Sequence, residues 1–207
     1  MNYKKNIKKL YRELKRKYGE PNGQWKLWCK RPKTEKEREE VIIGAILTQR
    51  TNWNNVELAI NNLKSAKINS LKDIYQLGQK KLAPLIKPSG FYKTKAQYLL
   101  NLTKFVIQNG GLERMKKDEL KGLREKFLKL KGIGPETADS ILLYALDKPI
   151  FVIDEYTRRL VRANNLADKT DYHFLQKLFE ENLRKDYRLY QDLHALIVIN
   201  AKNSKKF

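Results

Sequence analysis

The sequence predicts an all-α protein built from many short helices, and three observations lead there. From Val41 nearly to the end, apolar residues recur at three- and four-residue spacing. Glycines and polar breaks interrupt that pattern again and again, so no helix runs long. No segment alternates apolar and polar residues as a half-buried strand does. Residues 149–153 are the one β-like run, and so short a run between two helices reads more naturally as a buried extended connector.

Taken in order, residues 6–18 read as a basic amphipathic helix with Ile7, Leu10, Tyr11 and Leu14 on one face. Gly19, Pro21 and Gly23 end it. Residues 24–29 carry Trp25 and Trp28; in the charged stretch 31–40, Thr34 is an N-cap with Glu37 three positions on, as in a capping box. Residues 41–48 are apolar throughout, hence buried on most sides. Residues 52–65 place Trp53, Val56, Ala59, Ile60 and Leu63 at helical spacing. Helices over 70–78, 79–86, 93–109, 117–130, 135–146, 154–164, 172–183 and 187–201 complete the series. No internal repeat or low-complexity segment occurs.

A chain of 207 residues and 24.5 kDa makes one large domain or two small lobes sharing a groove. At 41% hydrophobic residues there is ample material for a core. No apolar run is long enough to span a membrane, and the basic start lacks the apolar stretch of a secretory signal. Lys and Arg number 44 against 23 Asp and Glu, a net charge of +21. So large a surplus costs self-repulsion and points to a polyanionic partner, although a generally lysine-rich composition is the plain alternative. Charge does not separate DNA from RNA. The lone Cys29 excludes internal disulfides, a four-cysteine zinc site and a cysteine-ligated iron–sulfur cluster. His173 and His194 lie far apart and offer no metal-ligand spacing. A reducing compartment, the cytoplasm, is expected.

The most informative stretch is Leu130-Lys131-Gly132-Ile133-Gly134-Pro135-Glu136-Thr137-Ala138. One helix ends, two glycines frame an apolar residue, and a second helix opens on a proline suited to its first position. Glycines let the turn tighten and let an anion approach, while the next helix presents unpaired amides at its positive end. Ile133 plugs the turn into its own helices. A Gly-apolar-Gly corner alone would be a plain bend; the whole pattern is more specific. It resembles the helix-hairpin-helix of the endonuclease III-like DNA glycosylases. Downstream, Pro149-Ile150-Phe151-Val152-Ile153-Asp154 looks like the family segment in which an apolar run delivers one aspartate to the active site. Read locally, Asp154 is simply an N-cap. Ile46-Leu47-Thr48-Gln49-Arg50-Thr51-Asn52-Trp53 is similar to the segment bearing the family's DNA-probing glutamine. Gly90-Phe91-Tyr92-Lys93 looks like the loop that supplies an intercalating apolar residue. The resemblance covers about residues 39–202.

The resemblance implies a two-lobed helical fold with the active site in the cleft between lobes. Residues 39–147 form one lobe, and 1–38 plus 148–207 the other. It implies a catalytic Asp154, and DNA contacts at Gln49, Arg50, Phe91, Lys131, Gly132, Ile133, Gly134 and Thr137. Bifunctional relatives place a lysine nucleophile where Glu136 stands, and a carboxylate cannot form an imine. Many relatives also end in a four-cysteine cluster, and this chain does not. Both departures look most like the 3-methyladenine DNA glycosylase III branch, a monofunctional hydrolase of the N-glycosidic bond of alkylated purines. Trp25, Trp28, Trp53 and Glu136 are candidates for its base pocket. Aromatic faces suit a flipped cationic purine, but tryptophans also anchor cores. Glu136 either positions water or a base edge, or is a solvated carboxylate at a helix start. The expected partner is duplex DNA with a damaged base, bound by a monomer. No organic cofactor or iron–sulfur cluster is expected; the one ion left open is a monovalent cation at the hairpin. The alternatives are a glycosylase for mismatched, deaminated or oxidised bases, and a non-catalytic helix-hairpin-helix DNA-binding module.

Overall fold

The computed structural model describes residues 3–203. Met1, Asn2 and residues 204–207, which belong to the lobe expected from both termini, lie outside the described residues. In chain order the helices are α1 (Tyr3–Tyr18), α2 (Trp25–Trp28), α3 (Glu35–Leu47), α4 (Trp53–Ser65), α5 (Leu71–Leu85), α6 (Tyr92–Gln108), α7 (Leu112–Met115), α8 (Leu120–Leu128), α9 (Pro135–Ser140), α10 (Glu155–Ala163), α11 (Tyr172–Asn182) and α12 (Tyr187–Asn203). A 3-10 turn, Lys87–Ser89, precedes α6, and a π turn, Ile141–Ala145, extends α9. No strand occurs among the described residues, so the all-α class holds. No described helix is long and apolar enough to cross a membrane.

The chain divides into two compact units, Arg31–Leu146 and the remainder up to Lys30 and from Asp147. In the larger unit α3 is central, with Val41 through Leu47 buried on every side, which is why its apolar pattern is a block and not a stripe. The helix packs against α4, α6, α7, α9 and the π turn. Its start is the expected capping box: Glu37 N–H donates to Thr34 Oγ1, and Thr34 N–H donates to Glu37 Oε2 at 2.8 Å. Arg38, buried in the first turn, donates from Nη1 to Ala145 O at 2.6 Å and so ties α3 to the end of the π turn.

Two expectations about helix ends need correction. Residues 70–86 make one element, yet its backbone breaks at Gly78 (φ 74°), where two helices were expected to meet. The helix expected over 117–130 is shorter, because Glu119 caps it by accepting from Gly122 N–H at 2.8 Å. In the smaller unit α12 packs on α1 and α10, and α1 also on α11. Residues 149–153 are a buried connector between helices, as expected; the stacked rings of Phe151 and Phe179 lie 4.4 Å apart beneath it.

Candidate DNA-contact loops and active-site carboxylate

The glycine hairpin is built by sequence-local means and then braced from outside. Its arms are α8 and α9. Arg124 on α8 grips the fully buried Asp139 on α9 through paired hydrogen bonds of 2.7 and 3.0 Å. A bidentate guanidinium–carboxylate pair holds direction as well as distance. Within the turn, Ile133 N–H donates to Leu130 O at 3.1 Å, and the Ile133 side chain is buried. Gly132 has a φ of +89°, and a Cβ there would meet the Tyr98 ring at 2.3 Å. Only glycine suits both constraints. Gly134 differs: its backbone is extended, and a Cβ would meet nothing within 4 Å. Lys131, Gly134 and Glu136 are exposed and Thr137 is half-buried.

Gln49 is tied to this hairpin. Its amide nitrogen donates to Gly132 O at 2.9 Å and to Thr137 Oγ1 at 3.1 Å. The residue expected to probe DNA therefore also braces the turn expected to grip it. Arg50 and Phe91 are exposed and both have left-handed backbones, φ 52° and 44°. Non-glycine residues adopt that region at a cost, and such positions gather where side chains must be presented. Phe91, 65% exposed, is the N-cap residue of α6.

Lys95, one turn into α6, joins the two loops. Its buried ammonium donates to Leu47 O at 2.8 Å, ahead of Gln49 and Arg50, and to Ser89 O at 2.6 Å, ahead of Phe91. Burial pushes its pKa down to about 8, so it remains charged at neutral pH. Lys95→Met is expected to destabilise the protein by about 2–4 kcal/mol in chemical denaturation, because two buried carbonyls lose charge-assisted donors. A change below about 0.5 kcal/mol, the range of ordinary surface substitutions, would show that the loops do not depend on it.

The smaller unit holds the carboxylate. Asp154 closes the buried connector and caps α10. Its Oδ1 accepts from Thr157 N–H at 2.7 Å and from Thr157 Oγ1 at 2.8 Å. Its Oδ2 lies 3.4 Å from His194 Nε2 on α12. Burial pushes the carboxyl pKa up, but the His194 charge and the His194 and Thr157 donors outweigh it and leave the pKa below its ordinary value. The group is an anion at neutral pH and a weak base.

Trp25 stands edge-on to His194, ring centres 5.6 Å apart, and edge-on to Trp28 at 5.7 Å. Both tryptophans are buried, whereas Trp53 is half-buried in the first turn of α4, in the other unit. Sequence reasoning missed Thr157, His194, Lys95, Tyr98 and the Arg124–Asp139 pair. Thr157 had a signal, a hydroxyl three residues after an N-cap aspartate. The others had none, since their partners come from distant positions.

These features agree with the relatives. Residues 43–185 match the model of the HhH-GPD superfamily of base excision DNA repair proteins. A protein of Methanocaldococcus jannaschii named as a DNA repair glycosylase is 44% identical over 200 residues, spanning 95% of this chain and 87% of that protein. The crystal structure of H. pylori 3-methyladenine DNA glycosylase bound to 1,N6-ethenoadenine superposes with a TM-score of 0.80 at 29% identity, covering 100% of each chain. A trapped covalent endonuclease III–DNA intermediate superposes with a TM-score of 0.73 over 95% of this chain and 85% of that one, and at 18% identity shows the fold alone. The chain belongs to the HhH-GPD superfamily of base excision DNA repair proteins.

Proposed function

We propose that the protein is a monofunctional DNA N-glycosylase that flips a damaged base from duplex DNA and hydrolyses its N-glycosidic bond, with an alkylated purine such as 3-methyladenine as substrate. The observation that carries this reading is Asp154, a buried carboxylate held ionised by Thr157 and His194 at the head of α10. A carboxylate with a depressed pKa is poorly suited to taking a proton from water but well suited to facing a developing cation. As the bond to the base lengthens, the sugar gains oxocarbenium character, and Asp154 stabilises that charge and orients the incoming water. A cationic alkylated base leaves readily, so no strong general acid is required.

The DNA contacts follow from the larger unit. The hairpin backbone around Gly134 receives a phosphate, Phe91 wedges into the stack, and Gln49 and Arg50 face the opened site. Unstacking costs a few kcal/mol, least at a damaged base. The similarity to a protein named for 3-methyladenine supports the substrate class.

Glu136 carries the monofunctional half of the reading. It is an exposed carboxylate in the first turn of α9, where bifunctional relatives place their lysine. Borohydride added during turnover is expected to trap no protein–DNA adduct, and strands are expected to stay intact until alkali or heat is applied. Glu136→Lys with a trappable adduct would support the positional match; an adduct with the wild type would overturn it. The substrate reading is tested by base release from a panel of duplexes carrying methylated, deaminated, oxidised or mismatched bases. Release of methylated purines alone or foremost supports it. Preferential release of uracil, thymine or 8-oxoguanine contradicts it.

A further inference from the structure

We propose that His194 is a positioning residue for Asp154, working as a neutral imidazole whose Nε2–H faces Oδ2, and that its protonation switches base excision off. The inference rests on the glycosylase reading of Asp154. The geometry supplies three donors for one carboxylate: Thr157 N–H and Thr157 Oγ1 on Oδ1, and His194 Nε2 opposite Oδ2. At 3.4 Å the His194 contact is long. Hydrogen bonds of this kind commonly tighten only once substrate is bound. The ring cannot drift, because it is buried and set edge-on to Trp25 at 5.6 Å and to Phe151 at 6.4 Å. With Oδ1 committed to Thr157, His194 decides how the second oxygen is presented.

The protonation state follows from charge. A neutral ring beside an ionised Asp154 leaves the pair at −1, free to stabilise a cationic sugar. Acid adds a proton at Nδ1, keeps the Nε2 donor, and brings the pair to zero, so the anion's field is offset within one contact distance. The surrounding charges do not restore it. Lys202 on the same helix is already a cation close enough to interact with Asp154, and it donates to Gln24 Oε1 at 2.8 Å. From α1, Lys15 pairs with Asp192 at 3.8 Å. On α10, Glu155 is engaged by Arg159 and Arg162, and Arg158 donates to Thr170 O. A second cation at His194 therefore has no nearby unpaired carboxylate to balance it other than Asp154 itself.

The test is single-turnover purine release from a duplex methylated with dimethyl sulfate, across about pH 5 to 9, the range in which imidazoles change charge. Wild type is compared with His194→Gln, which keeps a donor that cannot be protonated, and His194→Phe, which keeps the ring contacts without a donor. Wild type is expected to lose rate toward acid. The Gln variant should keep most of the neutral-pH rate and show no acid fall. The Phe variant should be slower by about tenfold to a hundredfold at every pH, the scale of a misplaced catalytic group, with DNA affinity unchanged. A Phe variant at the wild-type rate, or a Gln variant with the wild-type acid fall, overturns the proposal. Nitrogen-15 NMR of the two imidazoles decides it independently of activity. An Nε2–H tautomer for His194, with ring shifts that move on Asp154→Asn while those of His173 do not, supports it. An Nδ1–H tautomer, or shifts indifferent to Asp154→Asn, overturns it even if no base is released, a result that would separately count against the glycosylase reading.

Discussion

Asp154→Asn is expected to bind damaged DNA as the wild type does and to release base at least about a thousandfold more slowly, the scale of removing a preorganised charge from a transition state. The substitution is informative because the fold should not notice it. Asp154 also caps α10, and asparagine is an equally good N-cap, so Thr157 N–H keeps an acceptor. What disappears is the negative charge facing the sugar. Asp154→Ala would remove the cap too, at about 1 kcal/mol, and would mix the two effects. Acid titration gives a second readout. The folded carboxyl titrates below its ordinary value of 3.8, so its ionised form stabilises the protein above that value. That contribution is lost as pH falls through the folded pKa. The Asn variant should therefore unfold at acid pH with a shallower dependence than the wild type. Normal excision by the Asn variant would remove Asp154 from the chemistry.

The second large effect separates the two hairpin glycines. Gly134→Glu is expected to fold normally, within about 1 kcal/mol of wild type, because its backbone is extended and its surroundings are open. Its affinity for duplex DNA should fall by about tenfold or more, since a carboxylate then stands where a phosphate is received. Gly132→Ala should do the reverse. Its Cβ would meet the Tyr98 ring at 2.3 Å on a backbone of φ +89°, and stability should drop by about 2–4 kcal/mol. Thermal unfolding together with fluorescence anisotropy at physiological salt resolves the pair. Unaltered affinity in Gly134→Glu would show that the hairpin is only a corner in the fold.

Features written in consecutive residues were legible before the structure. Thr34 and Glu37 announced a capping box, Gly78 a break, and Asp154 the head of a helix. The hairpin was legible because its glycines, its plug and its proline are adjacent. Features made by pairing across the chain were not. Gln49 reads as a free polar residue until Gly132, 83 positions away, supplies its partner. Lys95 looks like one more surface cation among 44 basic residues, although its carbonyl partner at Leu47 is 48 positions away. The π turn, with Leu146 N–H donating to Ile141 O, has no residue signature, since the same apolar run would serve an α-helix. His194 showed only that it lacked metal-ligand spacing; its bearing on Asp154 depends on where α12 passes α10.

The most direct test of the whole account is one gel and one chromatogram from a single reaction. A methylated duplex is incubated with excess enzyme, wild type or Asp154→Asn, and free purines and strand integrity are read from the same sample. The account predicts free methylated purine with the wild type, strands intact until alkali is added, and neither product with Asp154→Asn despite bound DNA. Equal purine release by both proteins, or strand scission by the wild type without alkali, would contradict it.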